Sequence, residues 1–180
     1  MKLILITGVA PPDEDSFVNF NLERTRGLLP GFQSIVFEDF IDSRLRGQEM
    51  MENLNAKLEK AVIKSFKKDK NVILNGRLTV SGKGGYSPVL NEKFFEKFSP
   101  DLILVFEHDT GLKQDYLIRK RFGSRRGMES LAEQQEMNRN FAADYSAISG
   151  AVVKIIRINQ DNVKETIREM VTVLTGVMEK

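Results

Sequence analysis

Residues 1–17 read MKLILITGVAPPDEDSF, and this stretch decides the fold. Residues 3–7 form a short apolar run that predicts a buried strand, Gly8 and the prolines after it predict a loop, and Phe17 begins a predicted helix. A strand, a loop and a helix in this order open many α/β nucleotide-binding domains. A phosphate-binding loop in such a domain reads G-x-x-x-x-G-K-[ST].

The loop departs from that motif at three positions. Asp13 stands at the second glycine, Glu14 at the lysine and Asp15 at the serine or threonine. At about 4 Å and an effective dielectric constant of about 20, each carboxylate would repel a phosphate by about 4 kcal/mol. Three interpretations stay open. The acidic residues and Ser16 cap the following helix, which is the favoured one; Asp13, Glu14 and Asp15 bind Mg²⁺ or Ca²⁺; or a residual nucleotide site remains.

Apolar runs and amphipathic stretches alternate along the rest of the chain. Strands are predicted at residues 34–37, 71–75, 102–106 and 152–158, and helices at 17–28, 39–46, 50–66, 91–98, 112–121, 129–148 and 162–178. Residues 76–88, with four glycines, are predicted to form a long loop. The pattern indicates an α/β fold with a parallel sheet, in a single domain over residues 1–180.

The composition excludes several classes of function. The chain has no Cys and a single His, His108, so thiolate and histidine-cluster metal sites are excluded. The net charge of +2 gives no strong nucleic-acid signal. Residues 3–7 are too short for a signal peptide or a membrane span, so we expect a cytoplasmic protein without a membrane partner.

Three further groups of residues are candidates for a site. A basic segment with interspersed glycines contains Arg121 and Arg125, and Arg139 follows on the next predicted helix. Phosphoryl-transfer enzymes use arginines on such mobile segments to close over a transferring phosphate. A solvated charged face explains the segment equally well. In the glycine-rich loop, Arg77 and Tyr86 could hold an anionic or base-bearing ligand, but a structural loop is the simpler explanation. Asn75 ends a strand where phosphate-loop enzymes often place a magnesium-orienting Asp, and a plain hydrogen-bonding role is favoured.

Five stretches make the pattern recognisable. They are LILITGV at residues 3–9, VILNGRLTVSGKGGYSP at 72–88, SPDLILVFE at 99–107, MNR at 137–139 and ISGAVVKII at 148–156. Together they resemble the archaeal-type adenylate kinases, a branch of the nucleoside monophosphate kinase family. The resemblance implies a three-layer α/β/α P-loop fold with a five-stranded parallel sheet. It also implies phosphorylation of AMP by ATP with Mg²⁺, a lid of arginines at about residues 119–130, and a homo-oligomer, often a trimer.

Compared residue by residue with the family pattern, this sequence matches at some functional positions and differs at others. Gly8 matches the first loop glycine, Arg139 matches the MNR arginine, and Arg121 and Arg125 fall in the lid. Arg44 or Arg46 is left as the arginine that would bind the monophosphate. Against the pattern, Glu14 replaces the catalytic Lys, Asp15 the magnesium-binding Ser or Thr, Asn75 the Asp and Arg77 a His.

The altered positions lead to two hypotheses. The first is an adenylate kinase-like protein whose degenerate loop removes or strongly impairs phosphotransfer, and which acts as a binding, regulatory or structural module through self-association. The alternative is a working nucleotide kinase that uses ATP, Mg²⁺ and a nucleoside monophosphate with an atypical loop.

Overall fold

A computed structural model describes residues 1–8, 31–68, 70–82, 84–108, 131–158 and 163–178. Seven strands lie in these ranges: β1 (Leu3–Gly8), β2 (Phe32–Val36), β3 (Asn71–Asn75), β4 (Thr79–Gly82), β5 (Gly85–Pro88), β6 (Leu102–His108) and β7 (Val152–Ile158). Five of them form a sheet in the order β2-β3-β1-β6-β7, and every neighbouring pair is parallel. The predicted five-stranded parallel sheet is confirmed.

Helices cover both faces of this sheet. The described helices are α1 (Gly47–Phe66), α2 (Glu92–Lys97), α3 (Leu131–Ser149) and α4 (Val163–Met178), with a 3-10 turn at Phe37–Phe40. The core on one face joins the sheet to α1, α2 and α3 through residues such as Leu58, Phe94 and Ala142. The core on the other face joins it to α4 through Met170 and Leu174. The result is the three-layer α/β/α arrangement.

The segment predicted as a long loop at residues 76–88 contains a β-hairpin instead. β4 and β5 pair antiparallel, with Thr79 opposite Pro88 and Gly82 opposite Gly85. Gly85 has φ +117°, a backbone conformation that glycine adopts without strain, and it lies in the tight turn between the strands. Three of the glycines that suggested a loop, Gly82, Gly84 and Gly85, therefore lie where the two strands turn, while Thr79 and Val80 supply β-branched side chains for the strand.

The helix predicted at residues 39–46 is also wrong, because only a 3-10 turn at Phe37–Phe40 forms there. The Asp42 carboxylate accepts a hydrogen bond from the backbone N–H of Arg44 at 3.1 Å, a local turn that competes with helical pairing. Phe37 is buried against Gly76, where a Cβ atom would fall 2.2 Å from the Phe37 ring. This close approach requires glycine after β3.

None of the helices in the described ranges combines the length and the apolar character needed to cross a bilayer.

Candidate functional site

The carboxyl ends of β1, β3 and β6 meet at one edge of the sheet, where parallel α/β folds build their sites. Gly8 ends β1 and pairs with Phe106 of β6. A Cβ atom at Gly8 would lie 3.0 Å from the Phe106 carbonyl oxygen, so the two strands approach closely here. Asn75 ends β3 beside Ile6 of β1 and is 7% exposed. The structure thus places two of the predicted site residues, Gly8 and Asn75, at the same edge.

Asn138 joins three chain segments beneath this edge. Its side chain is 1% exposed. The Thr7 hydroxyl donates to Asn138 Oδ1 at 3.1 Å, and the Leu78 backbone N–H donates to the same oxygen at 3.4 Å. The residue before the candidate loop, the segment after β3 and helix α3 are therefore held by one buried amide.

Gln135, one turn earlier on α3, binds the end of β6. The His108 backbone N–H donates to Gln135 Oε1 at 2.5 Å, and Gln135 Nε2 donates to the His108 carbonyl at 3.1 Å. The side-chain amide thus continues the strand's hydrogen bonding where β6 ends. Because Gln135 is buried, these bonds are shielded from water and fix the register of α3 on the sheet.

Arg139, the arginine of the MNR stretch, forms a bidentate ion pair with Glu107. Its Nε and second terminal nitrogen donate to the two carboxylate oxygens at 2.7 and 2.9 Å. The Glu107 side chain is 8% exposed and that of Arg139 is 50% exposed. The hydrogen bonds and the charge of Glu107 raise the pKa of Arg139 above its usual range. A residue predicted to close over phosphate is therefore neutralised by a carboxylate of the same chain.

Arg44 and Arg46, the candidates for binding a monophosphate, lie between the 3-10 turn and α1. Arg44 forms a bidentate pair with Asp42, with nitrogen–oxygen distances of 3.0 and 2.8 Å. The hydrogen bonds from Arg44 hold the pKa of Asp42 well below its usual range. The Arg46 guanidinium donates to the backbone carbonyls of Ser43 and Leu45. Both guanidinium groups thus have partners within five residues of the chain.

The remaining predicted residues fall in two groups. Arg77 is half-buried between β3 and β4, and Tyr86 is half-buried in β5 opposite Ser81. The acidic loop residues and the lid arginines lie outside the described residues: Asp13, Glu14, Asp15, Ser16, Arg121 and Arg125. Their roles stay predictions. Within the described ranges, no three His, Asp or Glu side chains are grouped so as to hold a metal ion.

Sequence reasoning missed the residues that hold this edge together: Thr7, Glu107, Gln135 and Asn138. Two signals were available. Asn138 is the middle residue of the MNR stretch, and Glu107 is a carboxylate that directly continues a buried apolar strand. A charged residue at such a position is seldom buried without a partner, so a basic residue was to be expected nearby.

No family model matches the chain. Over a 188-residue alignment the chain is 24% identical to the adenylate kinase of Methanothermobacter thermautotrophicus, with 97% of this chain and 100% of the relative covered. It is 25% identical over 179 residues to the adenylate kinase of Thermoplasma volcanium, with 94% and 98% covered.

Solved structures show the same fold. The thymidylate kinase of Ehrlichia chaffeensis superposes with a TM-score of 0.51 at 10% identity, covering 96% of this chain and 98% of that chain. The thymidylate kinase of Candida albicans gives a TM-score of 0.51 at 14% identity, with 97% and 91% covered. The fold is that of the P-loop nucleotide kinases. Within that class, the chain is similar to the archaeal adenylate kinases, which are its homologues at 24–25% identity over nearly its whole length.

Proposed function

We propose that this protein keeps the adenylate kinase scaffold but lacks efficient phosphotransfer from ATP to AMP, and that it works as a binding or regulatory module through self-association. The observation that carries the proposal is the acidic sequence Asp13-Glu14-Asp15 after Gly8. A triphosphate needs backbone N–H donors and a lysine at these positions. Pro11 and Pro12 remove two donors, and the carboxylates add negative charge.

Residues in the described part of the structure also support a lack of efficient phosphotransfer. Asn75, a neutral amide, stands where the family pattern has a magnesium-orienting carboxylate, and an amide is a weaker ligand for a hard cation. Glu107 occupies the guanidinium of Arg139, and Asp42 occupies that of Arg44. Each of these ion pairs reduces the positive charge that its arginine offers to an approaching phosphate. The residues present therefore do not fit a bound ATP–Mg²⁺ in the way that the family pattern implies.

A coupled assay for ADP formation from ATP, AMP and Mg²⁺ tests the proposal on the full chain. We expect turnover well below about 1 s⁻¹, the low end for ordinary enzymes. Turnover of about 1 s⁻¹ or more would show that the acidic loop does not prevent the chemistry. The adenylate kinase of Methanothermobacter thermautotrophicus, measured beside it, is the positive control.

The alternative, a working nucleotide kinase with an atypical loop, is favoured by one observation: buried hydrogen bonds from Thr7 and Leu78 to Asn138 fix the end of β1, which directly precedes the loop. It predicts stabilisation by ligand. At a nucleotide concentration of about 100 times the dissociation constant, binding adds about 2.7 kcal/mol to the free energy of unfolding. A thermal shift with ATP, ADP or AMP and Mg²⁺ would support this alternative, and the absence of any shift would count against it.

A further inference from the structure

A groove on the outside of α1 is lined by four lysines. Lys57, Lys60, Lys64 and Lys68 lie along it, Phe40 lies at its side, and its volume is about 640 Å³. At 3.6 residues per turn, spacings of three and four residues keep Lys57, Lys60 and Lys64 within an arc of about 60° over about 10 Å of helix, and Lys68 follows in the turn after α1. We call this feature the lysine groove.

Most of the positive charge in the lysine groove has no carboxylate partner. Lys57 donates to the Phe40 carbonyl at 3.3 Å, while Lys60, Lys64 and Lys68 are exposed. Within the described ranges, no ion pair involves any of the four. Asp39 also lines the groove, so the four lysines and this aspartate give a net charge of +3.

The neighbouring acidic side chains offset only part of this charge, through the attraction between Asp42 and Lys57. Glu59, next to Lys60 in sequence, points its carboxylate to Lys97 at 2.6 Å. Asp42 is held by the Arg44 guanidinium at 2.8 Å. The three like charges on the helix repel one another by tenths of a kcal/mol per pair, a cost that an external anion would remove.

The spacing of the lysines and the concave form of the groove determine which kind of anion fits. Successive lysines are separated by about 4.5–6 Å along the helix axis, so a single phosphate group would engage one or two of them. A chain of phosphates can engage the whole row. The groove is concave, whereas a membrane surface is flat and would meet its rims first. A polyanionic strand therefore fits better than a mononucleotide or a lipid surface.

Phe40 narrows the choice further. Its half-buried side chain lines the groove and also packs against the hydrophobic core, while its backbone carbonyl accepts the hydrogen bond from Lys57. A basic groove with an aromatic platform is the combination that binds single strands, because an unpaired base stacks on the ring while the backbone follows the cations. In a duplex the bases are paired and cannot stack on a side chain at the groove wall. We propose that the lysine groove binds the phosphate backbone of a single-stranded nucleic acid.

The low net charge of the chain does not oppose this site. The total of +2 sums 27 basic and 25 acidic residues over the whole sequence and conceals where they lie. A patch of +3 around one groove produces a local field that acts within a Debye length of about 10 Å at 0.1 M salt. Binding is then expected to depend on this patch and on salt concentration.

Fluorescence anisotropy with a labelled 12-nucleotide oligouridylate and the full-length protein tests the proposal. If three to four phosphates are neutralised, the logarithm of the association constant falls with the logarithm of salt concentration with a slope of about −2 to −3. The combined change Lys60→Gln, Lys64→Gln, Lys68→Gln is expected to lower affinity at least tenfold and to make the slope shallower by about 2. Phe40→Leu, which keeps an apolar side chain, is expected to lower affinity about fivefold or more without changing the slope.

A matched control separates the groove from charge in general. The combined change Lys93→Gln, Lys164→Gln, Arg168→Gln removes three exposed positive charges from α2 and α4 and should leave affinity within about twofold. Thermal melts confirm that each variant is folded. The proposal is overturned by equal losses in the two triple variants, by unchanged affinity in the groove variant, or by tighter binding to a duplex of equal length or to phosphatidylserine vesicles.

Discussion

The sheet edge and the lysine groove carry positive charge in opposite ways. At the edge, Arg139 is paired with the buried carboxylate of Glu107. In the lysine groove, Lys60, Lys64 and Lys68 are exposed and none of them has a carboxylate partner in the described ranges. Internal partners hold a cation in place and reduce its attraction for an outside anion. The edge is therefore built for stability, and the groove is the surface left available to a ligand.

The largest effect on stability is expected at Asn138. Asn138→Ala removes the acceptor of the Thr7 hydroxyl and of the Leu78 N–H, both buried, and each unsatisfied group costs about 1–3 kcal/mol. We expect the free energy of unfolding to fall by about 2–3 kcal/mol in urea titrations. Asn140→Ala, exposed on the same helix, is the control and should change it by less than about 0.5 kcal/mol. Equal effects of the two variants would show that the buried amide is not what holds the edge.

The second-largest effect on the free energy of unfolding is expected at Tyr145, and this effect depends on pH. Its hydroxyl donates to the Leu90 carbonyl at 2.6 Å, and its ring stacks on Phe95 with centroids 4.0 Å apart. Tyr145→Phe keeps the stack and leaves that carbonyl without this donor, so we expect a loss of about 1–2 kcal/mol at pH 8, measured by urea titration.

Burial raises the pKa of Tyr145 in the folded protein above its usual value of about 10. The contribution to stability is fully present below pH 10 and is lost as the pH rises from 10 towards the folded pKa, because the unfolded chain releases the proton first. Urea midpoints of the wild type should therefore approach those of Tyr145→Phe above pH 10. Parallel curves from pH 8 to 11 would contradict this, since the other tyrosines are common to both proteins.

The Glu107–Arg139 pair is expected to contribute less, because water screens the half-exposed arginine. A double-mutant cycle with Glu107→Gln and Arg139→Gln should give a coupling free energy of about 1 kcal/mol. The more exposed Lys97–Glu59 pair, with side chains 49% and 27% exposed, provides the comparison and should couple by less than about 0.5 kcal/mol. A larger coupling in the exposed pair would reverse the contrast between edge and surface.

The smallest effect is expected in the lysine groove. Changing Lys60, Lys64 and Lys68 together to Gln should shift the free energy of unfolding by less than about 0.5 kcal/mol in total in the absence of nucleic acid. A loss above about 2 kcal/mol for the triple variant would mean that the lysines serve the fold rather than a ligand. Urea titration in 0.1 M salt makes this comparison.

The strands of the sheet were predictable from sequence because each contains a short run of apolar residues, most of them β-branched or leucine. Residues 71–75 and 152–158 were predicted with the bounds that the structure has. The β4–β5 hairpin was not, since its glycines serve a tight turn as readily as a loop and only the pairing of Thr79 with Pro88 distinguishes the two. Local patterns fix which segments are buried, but not how a glycine-rich segment pairs.

The contacts of the sheet edge were beyond a reading of local sequence. Asn138 and Thr7 are 131 positions apart, and no pattern in either segment indicates their contact. Arg139 was recognised as a candidate, but its partner Glu107 lies 32 positions away, and the chain must fold before the two are close. The loop residues and the lid arginines were proposed from sequence, and their roles still rest on it.

The central claim is that the acidic residues in the loop remove binding of nucleotide phosphate. Thermal unfolding with ATP and Mg²⁺ tests it most directly when the wild type is compared with the combined change Asp13→Gly, Glu14→Lys, Asp15→Thr. We expect no shift for the wild type. For the variant at about 100 times its dissociation constant, we expect a stabilisation of about 2.7 kcal/mol. A wild type that ATP stabilises as strongly as the variant would contradict the claim.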